Sequence, residues 1–119
     1  MTTQETGSLG EEVAARYLVS HGYEVRERNV RFQKLEIDIV AYDSAEKMMV
    51  FVEVKTRGHH SDQYPIHTSV DRRKRKAMRN AVARWVTRHQ YDGPGRIDVL
   101  SVSNARVVEH LKDLGSDFY

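Results

Sequence analysis

Cysteine is absent from this sequence, and long apolar runs are absent as well. Without cysteine, the chain can form neither a disulfide scaffold nor a metal site built from thiolates. A membrane-spanning helix needs roughly 20 consecutive apolar residues, which the sequence does not contain, and no signal peptide is visible. We therefore expect a cytoplasmic protein without a membrane partner.

The length and overall composition are those of one globular domain. The 119 residues are enough for a single hydrophobic core, and the chain is 39% hydrophobic and 30% charged, as ordinary soluble proteins are. Repeats, low-complexity tracts and linkers are missing from the sequence. We expect one domain over residues 1–119, with flexible ends at residues 1–7 and 115–119.

Positive charge is concentrated in one segment, although the net charge of the whole chain is only +2. Residues 71–90 contain eight basic residues and one acid, so this segment carries +7 and the other 99 residues carry −5. A basic stripe on an acidic body is typical of proteins that bind a phosphate backbone, here a nucleic acid. A solvated helix face is the structural alternative. The basic residues are Arg72, Arg73, Lys74, Arg75, Lys76, Arg79, Arg84 and Arg88.

The segment Val50–Arg57 alternates like a strand but carries charges within it. Alternation places Glu53 and Lys55 side by side on one face, with Val52 and Val54 on the other. An acid and an amine on a rigid apolar strand are costly to bury without partners. The pair is therefore either a structural ion pair at the surface, worth at most about 1 kcal/mol, or part of a functional site.

A second alternating strand, Leu35–Ala41, lies shortly upstream and has Glu36 and Asp38 on one face. The polar stretch Asp43–Lys47 between the two strands has the length and composition of a hairpin loop. If the strands pair antiparallel, Asp38 can lie near Glu53 on one face of the sheet. Because neighbouring carboxylates repel each other, we expect the pKa of at least one of these two to be raised.

A divalent cation is the simplest compensation for this repulsion. Carboxylate oxygens are hard ligands that suit magnesium, which proteins hold with one or two carboxylates together with water and substrate phosphate. Lys55 would then be a positive donor for an attacking water or for charge that develops on phosphate. The pattern predicts a site for Mg2+ or Mn2+ at Asp38 and Glu53.

The remaining segments predict helices and strands around a mixed sheet, an α/β fold of order α-β-β-β-α-β-β. Ser8 and Glu11 have the spacing of a capping box, and Gly22 is a helix stop. The predicted elements are a helix over Leu9–His21, strands over Tyr23–Asn29, Leu35–Ala41 and Val50–Arg57, a loop over Gly58–Ser69, a helix capped by Asp71 and ending near Gln90, a strand over Ile97–Val102, and an edge strand over Ala105–Leu111.

The helical periodicity places a few charged residues where they can reach the sheet. Glu11 lies at the edge of the apolar arc of the first helix; the alternative for it is a capping carboxylate near the positive helix end, and the two roles are compatible. In the second helix, Lys74 and Arg75 fall on the core-facing side of the first turn. The apolar arcs consist of Leu9, Val13, Ala14, Tyr17 and Leu18 in the first helix and of Met78, Ala81, Val82, Trp85 and His89 in the second.

Several segments form one ordered pattern between Gly7 and Val102. They are Gly7–Glu11 with its GxxGE spacing, Asn29–Arg31 leading into Glu36–Val40, Phe51–Arg57, the basic helix from Asp71 to Trp85, and the closing strand Ile97–Val99. This pattern resembles the YraN-like uncharacterised protein family. Such proteins are similar to the restriction-endonuclease-like superfamily, known as PD-(D/E)XK, and most nearly to Holliday-junction resolvases.

The resemblance implies a restriction-endonuclease-like fold and a role for individual residues. Asp38 and Glu53 would be metal ligands, Lys55 the catalytic lysine and Glu11 a helix acid near the metal, with a backbone carbonyl near Val54 completing the site. The nucleic-acid contacts predicted from the basic segment and the strand end are Arg57, Arg72, Arg73, Lys74, Lys76 and Arg79.

Three interpretations of function follow from these residues. The first is a Mg2+- or Mn2+-dependent endonuclease-like hydrolase of DNA, branched or otherwise structured DNA being the expected substrate. The second is a non-catalytic nucleic-acid-binding module, and the third a protein-interaction subunit whose basic helix docks an acidic partner. Asp38, Glu53 and Lys55 together favour the first, because a pure binder has no need of repelling carboxylates. A homodimer is compatible with all three.

Overall fold

A computed structural model of the chain describes residues 3–57 and 72–113. Within these two segments the elements follow the predicted order α-β-β-β-α-β-β, and the five strands form one mixed sheet, so the predicted α/β fold is confirmed. The elements are α1 (Thr3–Ser20), β1 (Tyr23–Phe32), β2 (Leu35–Asp43), β3 (Met48–Arg57), α2 (Arg72–His89), β4 (Gly95–Ser103) and β5 (Arg106–Leu111).

The strand order in the sheet is β1-β2-β3-β4-β5, so consecutive strands are neighbours. β2 is antiparallel to both β1 and β3, β4 is parallel to β3, and β5 is antiparallel to β4. β3 and β4 can be parallel because the connection between them contains α2, which is long enough for a crossover. The predicted antiparallel pairing of the two acidic strands is confirmed, with Ile39 opposite Val52.

The two helices cover opposite faces of the sheet, as the alternation along β3 demonstrates. Val50 and Val52 belong to the core cluster that contains α1 residues, whereas Met49 and Phe51 belong to the cluster that contains α2 residues. The predicted core stripe of α2 is thereby confirmed at four of its five positions. The helix residues buried in the clusters are Ala14, Ala15 and Leu18 in α1 and Met78, Ala81, Val82 and Trp85 in α2.

The first helix differs from its prediction at its start and in its orientation. It begins at Thr3, so Ser8 lies inside the helix and the predicted N-cap is wrong. A capping pattern is a local preference, and it does not prevent the preceding polar residues from continuing the helix. Leu9 is 44% exposed because Gly10 is the residue that faces the sheet. The stop at Gly22 agrees with its positive φ of 89°.

A few further predictions are corrected or lie outside the described residues. His89 is exposed rather than part of the buried stripe; it lies in the last turn of α2 and stacks on Trp85, with ring centroids 4.1 Å apart. The predicted loop Gly58–Ser69 and the predicted cap Asp71 fall outside the described residues. In the segments that the structure describes, neither helix is long and apolar enough to cross a membrane.

Candidate active site

Three carboxylates from two elements meet at one place. Each of Glu11 on α1 and Glu36 and Asp38 on β2 has a ligand oxygen within 4.8 Å of the other two. Asp38 is buried, Glu11 is half-buried and Glu36 is exposed. The group thus contains two of the three predicted metal ligands, Glu11 and Asp38, but not Glu53, and it adds Glu36, which the sequence analysis did not assign to the site. The alternation of β2 contained the signal, because residues two apart share a face of a strand.

Close packing of α1 on β3 brings Glu11 to this cluster. A Cβ atom added at Gly10 would overlap Oγ1 of Thr56 and lie 3.1 Å from its Cβ. Only glycine therefore allows the helix to lie this close to the strand. In the amide orientation that satisfies both groups, Nδ2 of Asn29 donates to both carboxylate oxygens of Glu11, at 3.2 and 2.8 Å. These contacts fix Glu11 from the helix side and from β1.

Asp38 is held by the backbone of the neighbouring strand. The paired register of β2 and β3 ends at Ile39 and Val52, and beyond it the Val54 N–H donates to Oδ2 of Asp38 at 2.7 Å. The pKa of Asp38 is raised to about 8, first by burial and then by the charges of Glu53 and Glu11, while the Val54 hydrogen bond opposes the shift. The predicted rise in pKa is confirmed for Asp38, although burial is a larger cause than the neighbouring carboxylates.

Glu53 lies beside the three-carboxylate group and is paired with two lysines. Glu53 is 6% exposed, and its Oε1 lies 2.9 Å from Nζ of Lys74 and 3.5 Å from Nζ of Lys55. The proximity of Lys74 agrees with its predicted position on the core-facing side of the first turn of α2. Burial lowers the pKa of Lys74, but the hydrogen bond to Glu53 and the neighbouring negative charges outweigh it, so the pKa is raised.

The chemistry of this donor set fits a hard divalent cation. Burial raises the pKa of Glu11, and the charge of Glu36 adds to the shift, whereas Arg28 and Asn29 lower it. The cluster therefore offers several carboxylate oxygens whose charges are incompletely compensated by the protein. Oxygen ligands of this kind suit magnesium and manganese, and a bound cation would favour the ionised form of each carboxylate.

The basic residues of α2 are distributed along the helix, and no acidic residue of the same helix balances their charge. α2 contains no acidic residue. In α2, Lys74 forms an ion pair with Glu53, and His89 lies at ion-pair distance from Glu27. Arg72, Arg73 and Lys76 are exposed and Arg79 is half-buried. The predicted contact at the Arg57 side chain lies outside what the structure describes.

A second polar cluster, which the sequence analysis missed, is buried on the α1 face of β4. Asp98 is fully buried, and Arg96 donates to its Oδ1 at 3.0 Å and to its Oδ2 at 3.2 Å. Arg96 also donates to Asp43 at 2.9 Å and to the Tyr23 hydroxyl at 2.6 Å. Four hydrogen bonds from one guanidinium thus join β4 to β1 and β2.

His110 extends this network to the edge of the sheet and to the helix. Its Nε2 lies 2.8 Å from Oδ2 of Asp98 and its Nδ1 lies 2.9 Å from the Tyr17 hydroxyl. Burial raises the pKa of Asp98, but the bonds from His110 and Arg96 and from the Asp113 N–H outweigh it, so the pKa is lowered. The network is a satisfied structural core. Its one sequence signal was an acid between two buried apolar residues of a strand.

Fold and site together define a mixed α/β protein with a carboxylate cluster, two lysines that contact Glu53, and a basic helix. The chain belongs to the Uncharacterised protein family UPF0102, which matches residues 10–102. The predicted membership of the YraN-like family is thereby confirmed. The matched range contains every residue of the carboxylate cluster together with Glu53, Lys55 and Lys74.

Individual relatives cover nearly the whole chain. A UPF0102 protein of Pelobacter propionicus is 40% identical over 113 residues, which are 91% of this chain and 80% of the relative. A UPF0102 protein of Beutenbergia cavernae is 41% identical over 114 residues, covering 92% of this chain and 94% of the relative. One of Clostridioides difficile is 37% identical over 103 residues, covering 86% and 88% respectively.

Proposed function

We propose that this protein is a metal-dependent nuclease that hydrolyses phosphodiester bonds in DNA, branched or otherwise structured DNA being the expected substrate. The observation that carries the proposal is the convergence of Glu11, Glu36 and Asp38 beside the Glu53–Lys55 pair. A raised pKa means that the ionised form of Asp38 destabilises the fold. Ionisable groups whose pKa is strongly shifted by their surroundings are concentrated at functional sites.

In this proposal each side chain of the cluster has a defined task. Asp38, Glu53 and Glu11 would hold Mg2+ or Mn2+, with Glu36 close enough to contribute a further oxygen. When bound, the cation supplies electrostatic stabilisation of the charge that develops on phosphate. Lys55 donates a hydrogen bond that orients the attacking water, whose oxygen bonds to phosphorus as the P–O bond of the leaving group breaks.

The basic face of α2 would position the nucleic acid for this reaction. Arg72, Arg73 and Lys76 are exposed at the same end of α2 as Lys74, which contacts Glu53, so a nucleic acid bound to them would approach that end of the helix. Contacts to phosphate are independent of base sequence. This placement, with Asp38 and Lys55 on adjacent strands of a mixed sheet, supports assignment to the PD-(D/E)XK superfamily, with Holliday-junction resolvases as the comparison of choice.

A non-catalytic nucleic-acid-binding module is the second candidate. It is favoured by the charge of α2, which carries eight Lys and Arg residues and no acid. The third interpretation, an interaction subunit that docks an acidic protein on the same helix, uses the same charge but predicts no affinity for nucleic acid. The three candidates thus differ in two observables, which are binding of nucleic acid and metal-dependent cleavage.

A gel assay separates the candidates. Single-stranded DNA, duplex DNA, a four-way DNA junction and an RNA duplex are incubated with the protein in Mg2+, Mn2+ or EDTA. A nuclease cleaves with metal and not in EDTA, and the Asp38→Asn variant loses the cleavage while an exposed control, Glu46→Gln, keeps it. Binding without cleavage in any metal identifies the binding module. Absence of both leaves the interaction subunit.

A further inference from the structure

We propose that Lys74 exchanges partners when a divalent metal binds. In the metal-free protein Lys74 forms an ion pair with Glu53; when the metal binds Glu53, Lys74 leaves this carboxylate and contacts substrate phosphate instead. The inference rests on the proposed function. It goes beyond that function because it gives one residue of the basic helix a role at a metal ligand, and so couples metal binding to nucleic-acid binding.

The two lysines at Glu53 differ in their distance from its carboxylate and in their exposure to solvent. Both ammonium groups approach the same oxygen, Oε1, Lys74 at 2.9 Å and Lys55 at 3.5 Å. Lys55 stands two residues from Glu53 on the same strand, where the backbone fixes its position. Lys74 reaches the carboxylate from the first turn of α2 and is 41% exposed in its side chain, against 25% for Lys55. Lys74 is therefore the shorter contact and the more accessible one.

The charges of the cluster leave room for a divalent cation. When ionised, the three grouped carboxylates and Glu53 outnumber the two ammonium groups at Glu53, and Arg28 is a further cation that acts on Glu11, so negative charge stays in excess. A divalent cation at the carboxylates would offset this excess. If Glu53 also bound this cation, as proposed, the cation would repel the ammonium of Lys74 that contacts the same carboxylate, because like charges repel strongly in a partly buried site.

This repulsion is relieved most easily by movement of Lys74. Both lysines have a flexible four-carbon stem with three N–H donors, but the Lys74 side chain is the more exposed of the two. Arg73 and Lys76 are exposed neighbours of Lys74 on α2, and in the proposed function they bind phosphate. A Lys74 side chain that leaves Glu53 can therefore donate to phosphate without any movement of the helix.

Titration of Mg2+ alone into the full chain tests the exchange. The midpoint of Mg2+-induced thermal stabilisation is measured for the parent, Lys74→Gln, Lys74→Arg and Lys76→Gln. Removal of a competing cation should raise the apparent Mg2+ affinity of Lys74→Gln by about three- to tenfold. Lys74→Arg keeps the charge and Lys76→Gln removes one that does not touch Glu53, so both should remain near the parent. If Lys74 is instead a fixed structural support of Glu53, the Mg2+ affinity of Lys74→Gln should be unchanged or weaker.

Binding of a four-way DNA junction supplies an independent readout. Exchange predicts that Lys74→Gln weakens junction binding more in Ca2+, used to occupy the site without supporting cleavage, than in EDTA. Lys76→Gln should weaken binding about equally in both. Equal losses for Lys74→Gln in the two conditions would overturn the exchange.

The outcomes also separate this inference from the proposed function. If the parent cleaves DNA in Mg2+ while Lys74→Gln keeps the parental Mg2+ midpoint, the nuclease proposal stands and the exchange is wrong. If the parent shows neither stabilisation by Mg2+ nor metal-dependent cleavage, both are wrong.

Discussion

Gly10 of α1 lies directly against the side chain of Thr56 on β3, with no space between them for a methyl group. The contact joins the helix that carries Glu11 to the strand that carries Glu53. Because the carboxylate of Glu11 is one residue from the contact, the distance between helix and strand sets the width of the carboxylate cluster. The glycine is a requirement of this approach and not of the backbone conformation, since the residue is within the helix.

Gly10→Ala should therefore push α1 away from β3. Overpacking at such a position costs about 1–3 kcal/mol, and the displacement of Glu11 should weaken any Mg2+-dependent stabilisation. Thermal or chemical unfolding with and without Mg2+ measures both effects. Gly7→Ala is the matched control, because a Cβ there has no atom within 4 Å and alanine favours a helix. Equal stability of the two variants would contradict the packing argument.

Asp38 predicts a pH dependence of the metal-free protein. Its pKa is about 8 in the folded chain and about 3.9 in an unfolded chain. Between these values the folded state holds a proton that the unfolded state has lost, so this contribution to stability is complete below about pH 4 and disappears as the pH rises through 8.

Asp38→Asn should abolish this slope, since the amide is neutral at every pH and its oxygen can still accept the Val54 N–H. The variant should be more stable than the parent at pH 8 in EDTA, by on the order of 1–3 kcal/mol. Unfolding free energies measured between pH 4 and 9 provide the comparison, with Glu46→Gln retaining the parental slope. A parent whose stability does not fall toward pH 8 would show that Asp38 is ionised at no cost.

Divalent metal should reverse the destabilisation. A ligand at ten times its dissociation constant stabilises the folded state by about 1.4 kcal/mol, so melting temperatures should rise with Mg2+ or Mn2+. Asp38→Asn should lose most of the gain even though it is the more stable protein in EDTA. This reversal of rank between EDTA and metal distinguishes a ligand from a structural residue. The absence of any parental response to millimolar metal would mark the cluster as structural.

The exposed cations of α2 should govern nucleic-acid binding without acting in cleavage. The triple variant Arg72→Ala, Arg73→Ala, Lys76→Ala should bind all sequences more weakly, and its salt slope should be shallower by about one unit per lost contact. An equally charged control replaces Lys47, Arg106 and Lys112, which are exposed outside α2.

Lys55→Ala should behave in the opposite way, with binding nearly intact and cleavage abolished, because its proposed task is confined to the reacting phosphate. Fluorescence anisotropy at several salt concentrations and the gel assay give the two readouts. If the triple variant keeps the parental affinity and salt slope, α2 is only a solvated face, and the interaction-subunit interpretation gains.

Arg96 should be essential for stability and not for chemistry. Arg96→Met leaves the carboxylates of Asp98 and Asp43 buried without their cation, which typically costs about 3–5 kcal/mol. The surviving folded fraction should unfold more readily as the pH rises above the range where these acids are protonated. Arg106→Met, at an exposed position on β5, is the control and should unfold like the parent. Denaturant unfolding monitored by circular dichroism measures the difference.

The sequence by itself determined the element order, the antiparallel pairing of β2 with β3 and the core stripe of α2. These features depend on periodicity and on turn composition, which are local properties. The neighbourhood of Asp38 and Glu53 was predictable for the same reason, since strand parity and a short hairpin suffice to place them. The position of Lys74 on the core-facing side of its helix also follows from periodicity.

Tertiary structure alone decided which partners these residues have. Lys74 meets Glu53 only because α2 packs on the sheet face that contains Glu53, and Glu11 meets Glu36 only because Gly10 permits close approach. The buried network around Arg96 and Asp98 could not be predicted from the sequence, because its contacts join distant residues; Tyr17 and His110 are 93 positions apart. Such contacts depend on strand order and on the parallel register of β3 and β4, which no local pattern specifies, because a side chain's partners are set by the packing of distant elements.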